Sequence, residues 1–450
     1  MNADRYLAPF TEALKAATAD EAELWAHRRR AAVTRYSNNS IHQNALSDET
    51  HVQARCVVGR AVGIASANSL DAADLRTLLA DAAAAARESA PNDDWPGLAE
   101  PEPIERPRAF DATSAADARD QAGAIRVVTE AAARAHFRAA GTHHVDLTED
   151  AVANTQGVAA YAPATVAYLR ALVQSDVGSG WAEDLAWRVS ALDPAGVAAR
   201  AIEKCALDRH RRVLGPGDYE AVLEELAVAE VLRFVSLTGL SGQTLRDGRS
   251  FMADRIGEQV TGARFTLSED ALDPRTLAIP FDVEGTPKRR VPLVEHGVAR
   301  GVVHDRLSAK WFGTRSTGHA ADPRRYMAGG HAANLTMEGG EATREELIAS
   351  VSRGVLITRF HYTNTPDPKR ATMTGTSRDG TFLIEDGRIV AALANVRYTM
   401  SALDLFAGID LLGRPRLARD WWSSNGMGSI VCLCPAMKVA RVTITGSSPT

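Results

Sequence analysis

Cysteines, clusters of like charge and extended apolar segments are all scarce in this sequence, and each shortage excludes a class of protein. The 450 residues include four cysteines, which are too few and too scattered for the disulfide framework of a small secreted domain. No apolar run approaches the length of a membrane-spanning helix. The N-terminal residues also lack the basic and apolar regions of a secretion signal. We therefore expect a cytoplasmic, reduced protein that does not enter a membrane.

The charge balance argues against nucleic acid as a partner. The formal net charge is −5, and the sequence contains no block of lysine and arginine, so nothing favours binding to nucleic acid or to an anionic membrane surface. Apolar residues make up 45% and charged residues 24% of the chain, as in ordinary globular proteins. The length predicts two or three domains, because a single hydrophobic core rarely grows to this size.

Familiar catalytic motifs are missing as well. No two of the 12 histidines have the i, i+4 spacing with an intervening glutamate that places two imidazoles and a base on a zinc peptidase helix. There is no G-x-S-x-G nucleophile elbow, no Ser-x-x-Lys pair and no phosphate-binding glycine loop. The residues alone therefore leave the chemistry open.

Five residues are candidates for catalysis without a metal. His304 and Asp305 lie at a predicted strand–helix junction and could act as an acid/base pair, although a helix N-cap at Asp305 explains the pattern nearly as well. Cys434 could meet His304, His319 or His361 in space and act as a nucleophile. Because Cys432 lies two positions before Cys434, both sulfurs would share one face of a strand, where free cysteine is more often a small apolar residue than a ligand.

The N-terminal half is predicted to be an α+β domain that spans residues 1–212. Its helical and strand-like segments follow one another twice in the same order, which suggests an internal duplication. Asp71 and Asp193 each follow a leucine at the start of a predicted helix, and Asp71 is a plausible N-cap residue. A proline-rich stretch at residues 91–107 separates the two units and is predicted to be a linker or an extended loop. We expect an antiparallel sheet with flanking helices.

The C-terminal half, residues 213–450, is predicted to be a mostly antiparallel β domain. Residues 314–334 form a long stretch without periodicity, and such loops are often functional. The stretch from Arg359 to Asn395 is predicted to be a β-meander whose hairpin turns lie at the Asp-Gly pairs 379–380 and 386–387. Pro366 and Pro368 lack backbone donors, so residues 363–369 are expected in a loop or at a sheet edge.

The polar first arm of this meander could hold an extended peptide by strand addition. An ordinary antiparallel sheet with solvated turns is the alternative interpretation. The candidate peptide-binding residues are Arg359, His361, Tyr362, Asn364, Thr374 and Asn395.

Several blocks of the sequence resemble the TldD/PmbA family, and specifically its TldE/PmbA branch. They occur in the family's order over nearly the whole chain, and the meander block is the most specific of them. The blocks are TRYSNNSIHQ at 34–43, GDYEAVL at 217–223, DGRSF at 247–251, PFDVEGTP at 280–287, STGHA at 316–320 and the meander from Thr374 to Gly387.

This resemblance implies an α+β fold and a hollow dimer of two subunit types that processes unfolded peptides. In the TldD type, zinc is bound by a His-Glu-x-x-x-His helix and by a cysteine near the C-terminus. The equivalent helix here, residues 225–237, contains no histidine. The resemblance thus implies a chain without metal of its own, which shapes the chamber and binds the peptide substrate while a TldD-type partner in a heterodimer supplies zinc.

Two alternatives stay open on the sequence. The first is a homodimeric amide hydrolase of a biosynthetic pathway that works without metal through a cysteine or a histidine/aspartate pair. The second is a binding protein without turnover.

Overall fold

The computed structural model describes residues 2–105, 109–113, 118–322, 329–419 and 430–447. The middle of the loop predicted at residues 314–334 lies outside these ranges. Over the described residues the chain is α+β, as predicted. It contains one antiparallel sheet in the N-terminal half and a larger, mainly antiparallel sheet in the C-terminal half.

The N-terminal half contains a six-stranded sheet with four helices packed on it. The elements are α1 (Asp4–Leu14), β1 (Glu21–Ser37), β2 (Ser40–Val58), β3 (Ala61–Ala67), α2 (Ala72–Glu88), α3 (Ala118–Arg134), β4 (Arg138–Asn154), β5 (Ala159–Gln174), β6 (Ser179–Ala186) and α4 (Pro194–Leu207). Helix, three strands and helix follow one another twice, and the strand order is β3-β2-β1-β4-β5-β6. The two units therefore meet at β1 and β4, which is the arrangement expected of an internal duplication.

The two faces of this sheet have different neighbours. Since side chains alternate along a strand, Leu24 of β1 packs among the helices, whereas Trp25 packs with Val152 and with Phe281 of the C-terminal half. Gly285 lies at this contact with a φ of +73°, and a Cβ on it would come 2.6 Å from Val158. The glycine therefore allows the turn within the PFDVEGTP block to approach the sheet closely.

The C-terminal half is built on an 11-stranded sheet. Its elements are β7 (Gly217–Leu223), α5 (Glu225–Gly239), α6 (Gly242–Arg246), β8 (Leu267–Glu269), β9 (Val291–Glu295), β10 (Val298–Ala299), α7 (Arg306–Trp311), β11 (Asn334–Met337), α8 (Arg344–Ala349), β12 (Arg353–Asp367), β13 (Thr372–Glu385), β14 (Arg388–Ala392), β15 (Val396–Ser401), α9 (Ala402–Ala407), β16 (Ile409–Arg419) and β17 (Val431–Ser447). The pairing of β17 with β7 closes β7, β12, β13, β15 and β17 into a ring. Most neighbours are antiparallel, and β7–β12 and β11–β17 are parallel.

The meander differs from its prediction at one turn. Asp386 and Gly387 form the β13–β14 turn with positive φ, as expected. Asp379 and Gly380, however, lie inside β13, where the register with β12 shifts. The predicted hairpin there is therefore wrong: the pair forms a bulge, which needs the same positive φ as a tight turn. A Cβ on Gly380, whose φ is +128°, would come 2.5 Å from Thr358 Oγ1.

The predicted loop or edge at residues 363–369 is an edge over most of its length. Strand β12 continues to Asp367, whereas its parallel neighbour β7 pairs with it only from Gly354 to Ile357. Beyond Ile357, β12 thus has a strand partner on one side only within the described residues. As for membranes, none of the described helices combines the length and the hydropathy that a span requires.

Candidate functional site

Helix α5 lies at the centre of the C-terminal core. It follows β7 directly and packs against β12 and β17. Small and aliphatic residues cover most of its circumference, and Ala227, Val228, Ala229, Val231 and Leu232 are all fully buried. A helix that is apolar over most of its circumference is stable only inside a core, and α5 also buries the carboxylate of Glu230 there, which accepts a hydrogen bond from Thr363.

The two C-terminal cysteines face this helix. The Cys432 thiol lies 3.8 Å from the carbonyl oxygen of Ala229, and the Cys434 thiol donates to the carbonyl oxygen of Glu225 over 3.5 Å. These carbonyls are one helical turn apart, which confirms that both sulfurs lie on one face of β17. Burial, helped by the nearby charge of Glu225, raises the pKa of the Cys434 thiol well above its usual value. Because the thiolate is the reactive species, this cysteine is poorly suited to nucleophilic attack.

The residues around the two thiols do not fit a zinc ion. Structural and catalytic zinc sites take three or four ligands from thiolates, imidazoles and carboxylates. The helix turn that faces Cys432 and Cys434 presents main-chain carbonyl oxygens and, near Cys434, the carboxylate of Glu225, and α5 contains no histidine. Among the described residues, no three side chains of histidine, cysteine, aspartate or glutamate are grouped closely enough to bind a metal.

A buried ion-pair network surrounds the start of α5 and connects the two halves of the chain. Glu224 accepts from Lys204 of α4 over 2.5 Å and from Arg344 of α8 over 3.0 Å. Burial alone would raise the pKa of Glu224, but these two cations outweigh it and the pKa is lowered. The network borders a cavity of about 430 Å³ between the halves, so charges of both signs line its wall.

Both ring nitrogens of His319, one of the catalytic candidates, contact polar side chains. Its Nδ1 lies 2.9 Å from Thr317 Oγ1 and its Nε2 lies 3.2 Å from Glu269 Oε1. Burial, and to a lesser degree the charge of Lys288, lower the pKa of His319 to about 4. The ring is therefore neutral at pH 7 and could act as a base or as a hydrogen-bond partner.

His304 and Asp305 are held by other contacts. Thr317 Oγ1 accepts from the main-chain nitrogen of His304 over 2.8 Å, so this main chain and the His319 ring share one hydroxyl. The His304 ring itself faces Phe312, and burial lowers its pKa. Asp305 accepts from the main-chain nitrogen of Ser308 over 2.7 Å as the N-cap of α7. This is the structural alternative that the sequence offered, and a catalytic role for either residue stays a prediction.

The peptide-binding candidates are spread along the meander and differ in exposure. Tyr362 is 61% exposed and stacks on His361, whose Nε2 lies 3.0 Å from Arg378 Nη1. Asn364 is also exposed, and its amide donates to the carbonyl oxygen of Tyr362. Arg359 turns towards the N-terminal half instead: it pairs with Asp379 and lies 4.2 Å from the ring of Trp181.

The last two peptide-binding candidates lie further along the same sheet. Thr374 donates to the carbonyl oxygen of Tyr398, and Asn395 is half-buried after β14. Of the six candidates, only Tyr362 and Asn364 are exposed, and the others are buried or half-buried. The meander thus offers an accessible edge at residues 362–364, and peptide binding there stays a prediction.

Residues 216–446 match the protein-family model for the C-terminal domain of PmbA/TldA metallopeptidases, which is more than half of the chain, and residues 22–86 match the model for domain 1. The chain belongs to the PmbA/TldA metallopeptidase family. This confirms the family predicted from the sequence blocks.

Curated relatives in this family match part of the chain. The Metalloprotease TldD homolog of Buchnera aphidicola is 25% identical over 224 residues, which are 46% of this chain and 44% of that protein. The Metalloprotease PmbA homolog of Haemophilus influenzae is 31% identical over 137 residues, 30% of this chain and 28% of that protein. The chain thus spans less than half the length of these relatives in the matched regions.

The fold is similar to that of a solved structure over nearly its whole length. The crystal structure of TldE from Thermococcus kodakarensis is 21% identical in sequence and has a TM-score of 0.87, with 97% of this chain and 99% of that chain covered. At this identity the likeness establishes the fold, which is the PmbA/TldD-type α+β fold expected from the sequence.

Proposed function

We propose that this PmbA/TldA family member is the subunit without metal in a two-chain peptidase, whose TldD-type partner supplies the zinc. The observation that carries the proposal is the face of α5 opposite Cys432 and Cys434, where the thiols meet the carbonyl oxygens of Ala229 and Glu225 and the helix has no imidazole. Zinc lowers the pKa of a bound water to about 7 and so creates the nucleophile of many peptidases. A chain without imidazoles at this helix needs a partner for that step.

The peptide, in this proposal, binds at the edge of β12. Beyond Ile357 this edge pairs with no further strand among the described residues, and a strand edge of this kind is where extended peptides add to a sheet. Tyr362, with its exposed ring stacked on His361, would contact alternate side chains of the peptide. Arg359, packed on Trp181, would fix the position of the strand against the N-terminal half.

The alternative is a homodimeric amide hydrolase that works without a metal. The raised pKa of Cys434 weighs against a thiol nucleophile, and the capping role of Asp305 weighs against a His304–Asp305 pair. The buried contact between His319 and Glu269 is the observation that favours this alternative, because an oriented, neutral imidazole can accept a proton.

Co-expression with a TldD-type chain separates the two proposals. We expect a heterodimer by native mass spectrometry and chelator-sensitive peptide hydrolysis by the complex, with no hydrolysis by this chain alone. His319→Gln in this chain should then leave the kcat of the complex within a factor of about two, since no reacting group is lost. Hydrolysis by the isolated, chelated chain that disappears in His319→Gln would refute the partner proposal and support the alternative.

A further inference from the structure

The cavity of about 430 Å³ beside the start of α5 lies between the two halves of the chain. Helix α4 and strand β6 line it from the N-terminal half, and α5, α8 and β16 line it from the C-terminal half. Most charged groups of its wall have a hydrogen-bonded side-chain partner, namely Lys204 and Arg344 with Glu224, Arg344 with Glu203, Arg414 with Glu341, and Glu183 with Tyr168 and Trp181. Glu345 is exposed. The other three charged groups, Arg200, Arg416 and Glu225, have no such partner in the described part of the chain.

Two of these groups bring like charges to the cavity from opposite halves of the chain. Arg200 Nη2 donates to the main-chain oxygen of Glu183 over 3.2 Å, and Arg416 Nη2 lies 3.8 Å from Asp184 Oδ1. Both retain accessible surface, since Arg200 is half-buried and the side chain of Arg416 is 45% exposed. Burial and the charge of Arg416 lower the pKa of Arg200, although the carboxylates of Asp184 and Glu225 oppose this. A bound anion would relieve the repulsion between the two guanidinium groups, whose N–H groups can donate to it.

Glu225 gives the cavity the opposite requirement. Its side chain is half-buried and makes no ion pair among the described residues. Burial and the neighbouring charge of Glu224 raise the pKa of Glu225, and Arg416 and Lys204 oppose this only in part. A hydrogen-bond donor beside the carboxylate would stabilise its charged form. A ligand that suits both this group and the arginines therefore combines an anionic group with a nearby N–H group.

Strand β16 offers such a ligand a free edge. It borders the cavity from Gly413 to Ala418, and β17 pairs with one of its edges. On the other edge, main-chain groups of residues 340–342 bond to Leu412 and Gly413, and beyond Gly413 that edge has no further pairing among the described residues. Since Pro415 has no N–H group, addition of a strand here would depend on residues 416–419.

The other strand beside the cavity, β6, is less suited to strand addition. It is the last strand of the N-terminal sheet, but side chains of α4 already occupy two of its carbonyl groups. Lys204 donates to the carbonyl oxygen of Trp181, and Arg200 donates to that of Glu183. An extended chain would therefore add to β16, because extended peptides bind at free strand edges.

We propose that this cavity binds the C-terminal end of an extended peptide. The terminal carboxylate would accept from Arg200 and Arg416, the last amide N–H would donate to Glu225, and the preceding main chain would lie along β16. An anion without an N–H group would leave Glu225 without a donor, and an amine would face two guanidinium groups. The volume lies within the range of roughly 300–1,000 Å³ of small-ligand sites. No residue of β12 lines the cavity, so this site is separate from the β12 edge. Because the ligand is a peptide, the inference deepens the proposed function and rests on it.

Fluorescence anisotropy with the isolated chain tests this inference. The probe is the peptide Gly-Gly-Ala-Ala-Ala with fluorescein on its N-terminus, and the matched probe carries a C-terminal amide in place of the carboxylate. The acid should bind saturably and at least about tenfold more tightly than the amide, because the amide offers the two arginines no negative charge. Equal affinity of the two probes, or no saturable binding of the acid, would overturn the proposal.

Inorganic phosphate distinguishes a site for a peptide terminus from a general oxyanion site. At constant ionic strength, phosphate should displace the labelled acid only at concentrations at least about tenfold above those of the unlabelled peptide acid. Displacement by phosphate at equal concentrations would overturn the assignment to a peptide.

The matched variants are Arg416→Gln in the cavity and Arg441→Gln outside it. Both arginines are partly exposed and lie 3.8 Å from an aspartate. Arg416→Gln should weaken binding of the acid at least about tenfold and leave that of the amide unchanged, and Arg200→Gln should have the same selective effect. Arg441→Gln should change neither. Equal weakening of acid and amide, or wild-type affinity for the acid in Arg416→Gln, would overturn the proposal. The titration contains no partner chain, so a failure here leaves the partner proposal untouched.

Discussion

The buried pair between Lys204 and Glu224 gives the most quantitative test of how the two halves are held together. The side chains are only 4% and 8% exposed, so Lys204→Met would leave the Glu224 carboxylate buried with Arg344 as its remaining cation. It would also remove the hydrogen bond from Lys204 to the carbonyl oxygen of Trp181. Breaking a buried pair by removing one partner typically costs 3–5 kcal/mol. Since Arg344 remains, we expect about 3 kcal/mol at pH 7.

The pH dependence of this loss follows from the pKa of Glu224. In the wild type it is lowered in the folded state, so its contribution to stability is present above the unfolded value of about 4.3 and is lost as the pH falls through the folded value. In Lys204→Met, burial opposed by Arg344 alone should raise the pKa of Glu224 instead. The penalty should then be present at neutral pH and shrink as the carboxylate takes up a proton on acidification.

Thermal unfolding at pH 7 and pH 5 measures both effects. For a folding unit of the size of either half, a loss of 1 kcal/mol lowers the thermal midpoint by about 2–4 °C. The loss of about 3 kcal/mol in Lys204→Met should therefore lower the midpoint at pH 7 by roughly 6–12 °C. Lys204→Met/Glu224→Gln should recover part of it, because no buried charge is then left unpaired. Lys15→Met, at an exposed pair with Glu12, is the matched control and should cost less than about 1 kcal/mol. If Lys204→Met loses no more stability than Lys15→Met, the buried pair with Glu224 does not hold the two halves together.

Three further predictions concern single sites. The thiols, Cys434 included, are buried and should not react with a thiol reagent within minutes at pH 7.5 until the chain is unfolded; rapid labelling of Cys434 in the native chain would contradict its assignment to the core. Tyr362→Ala should weaken peptide binding to the heterodimer by about tenfold in fluorescence anisotropy without a change in thermal midpoint, while Val177→Ala, also exposed, should not; equal affinities would exclude the β12 edge. Gly380→Ala should lower the free energy of unfolding by about 1–3 kcal/mol in a urea titration, because Gly380 has a positive φ. The control Gly446→Ala, at a glycine where an added methyl group would have no described neighbour within 4 Å, should change it by less than about 0.5 kcal/mol. Similar values for the two variants would show that Gly380 relieves no backbone strain.

Local sequence signals were sufficient for many elements but not for their long-range contacts. Both predicted helices begin at their Leu-Asp starts, where Asp193 caps α4 through its side chain and Asp71 precedes α2 without a side-chain capping bond, and the Asp386–Gly387 turn needed no tertiary information. The Asp379–Gly380 pair has the same composition, and only the register of β12 decides that it forms a bulge. The blocks shared with the family predicted the fold because they extend over nearly the whole chain.

The site residues also divide into those that a local sequence pattern predicts and those that depend on long-range contacts. The period-two spacing of Cys432 and Cys434 was enough to place both thiols on one face, but the helix that they contact lies about 200 positions earlier in the chain. Lys204 and Glu224 were missed because they belong to different halves and no short motif joins them. The orientation of Arg359 towards Trp181 depends on how the halves dock, which a single sequence does not encode in any local pattern.

The zinc content of the separated chains shows which subunit binds the metal. This chain, purified alone and equilibrated with zinc before exhaustive dialysis, should contain well below one zinc per molecule, and the heterodimer with a TldD-type chain should contain zinc that stays with the partner after the chains are separated. Stoichiometric zinc that remains on this chain by itself would contradict the assignment of zinc to the partner, because α5 contains no histidine that could complete a site with Cys432 and Cys434.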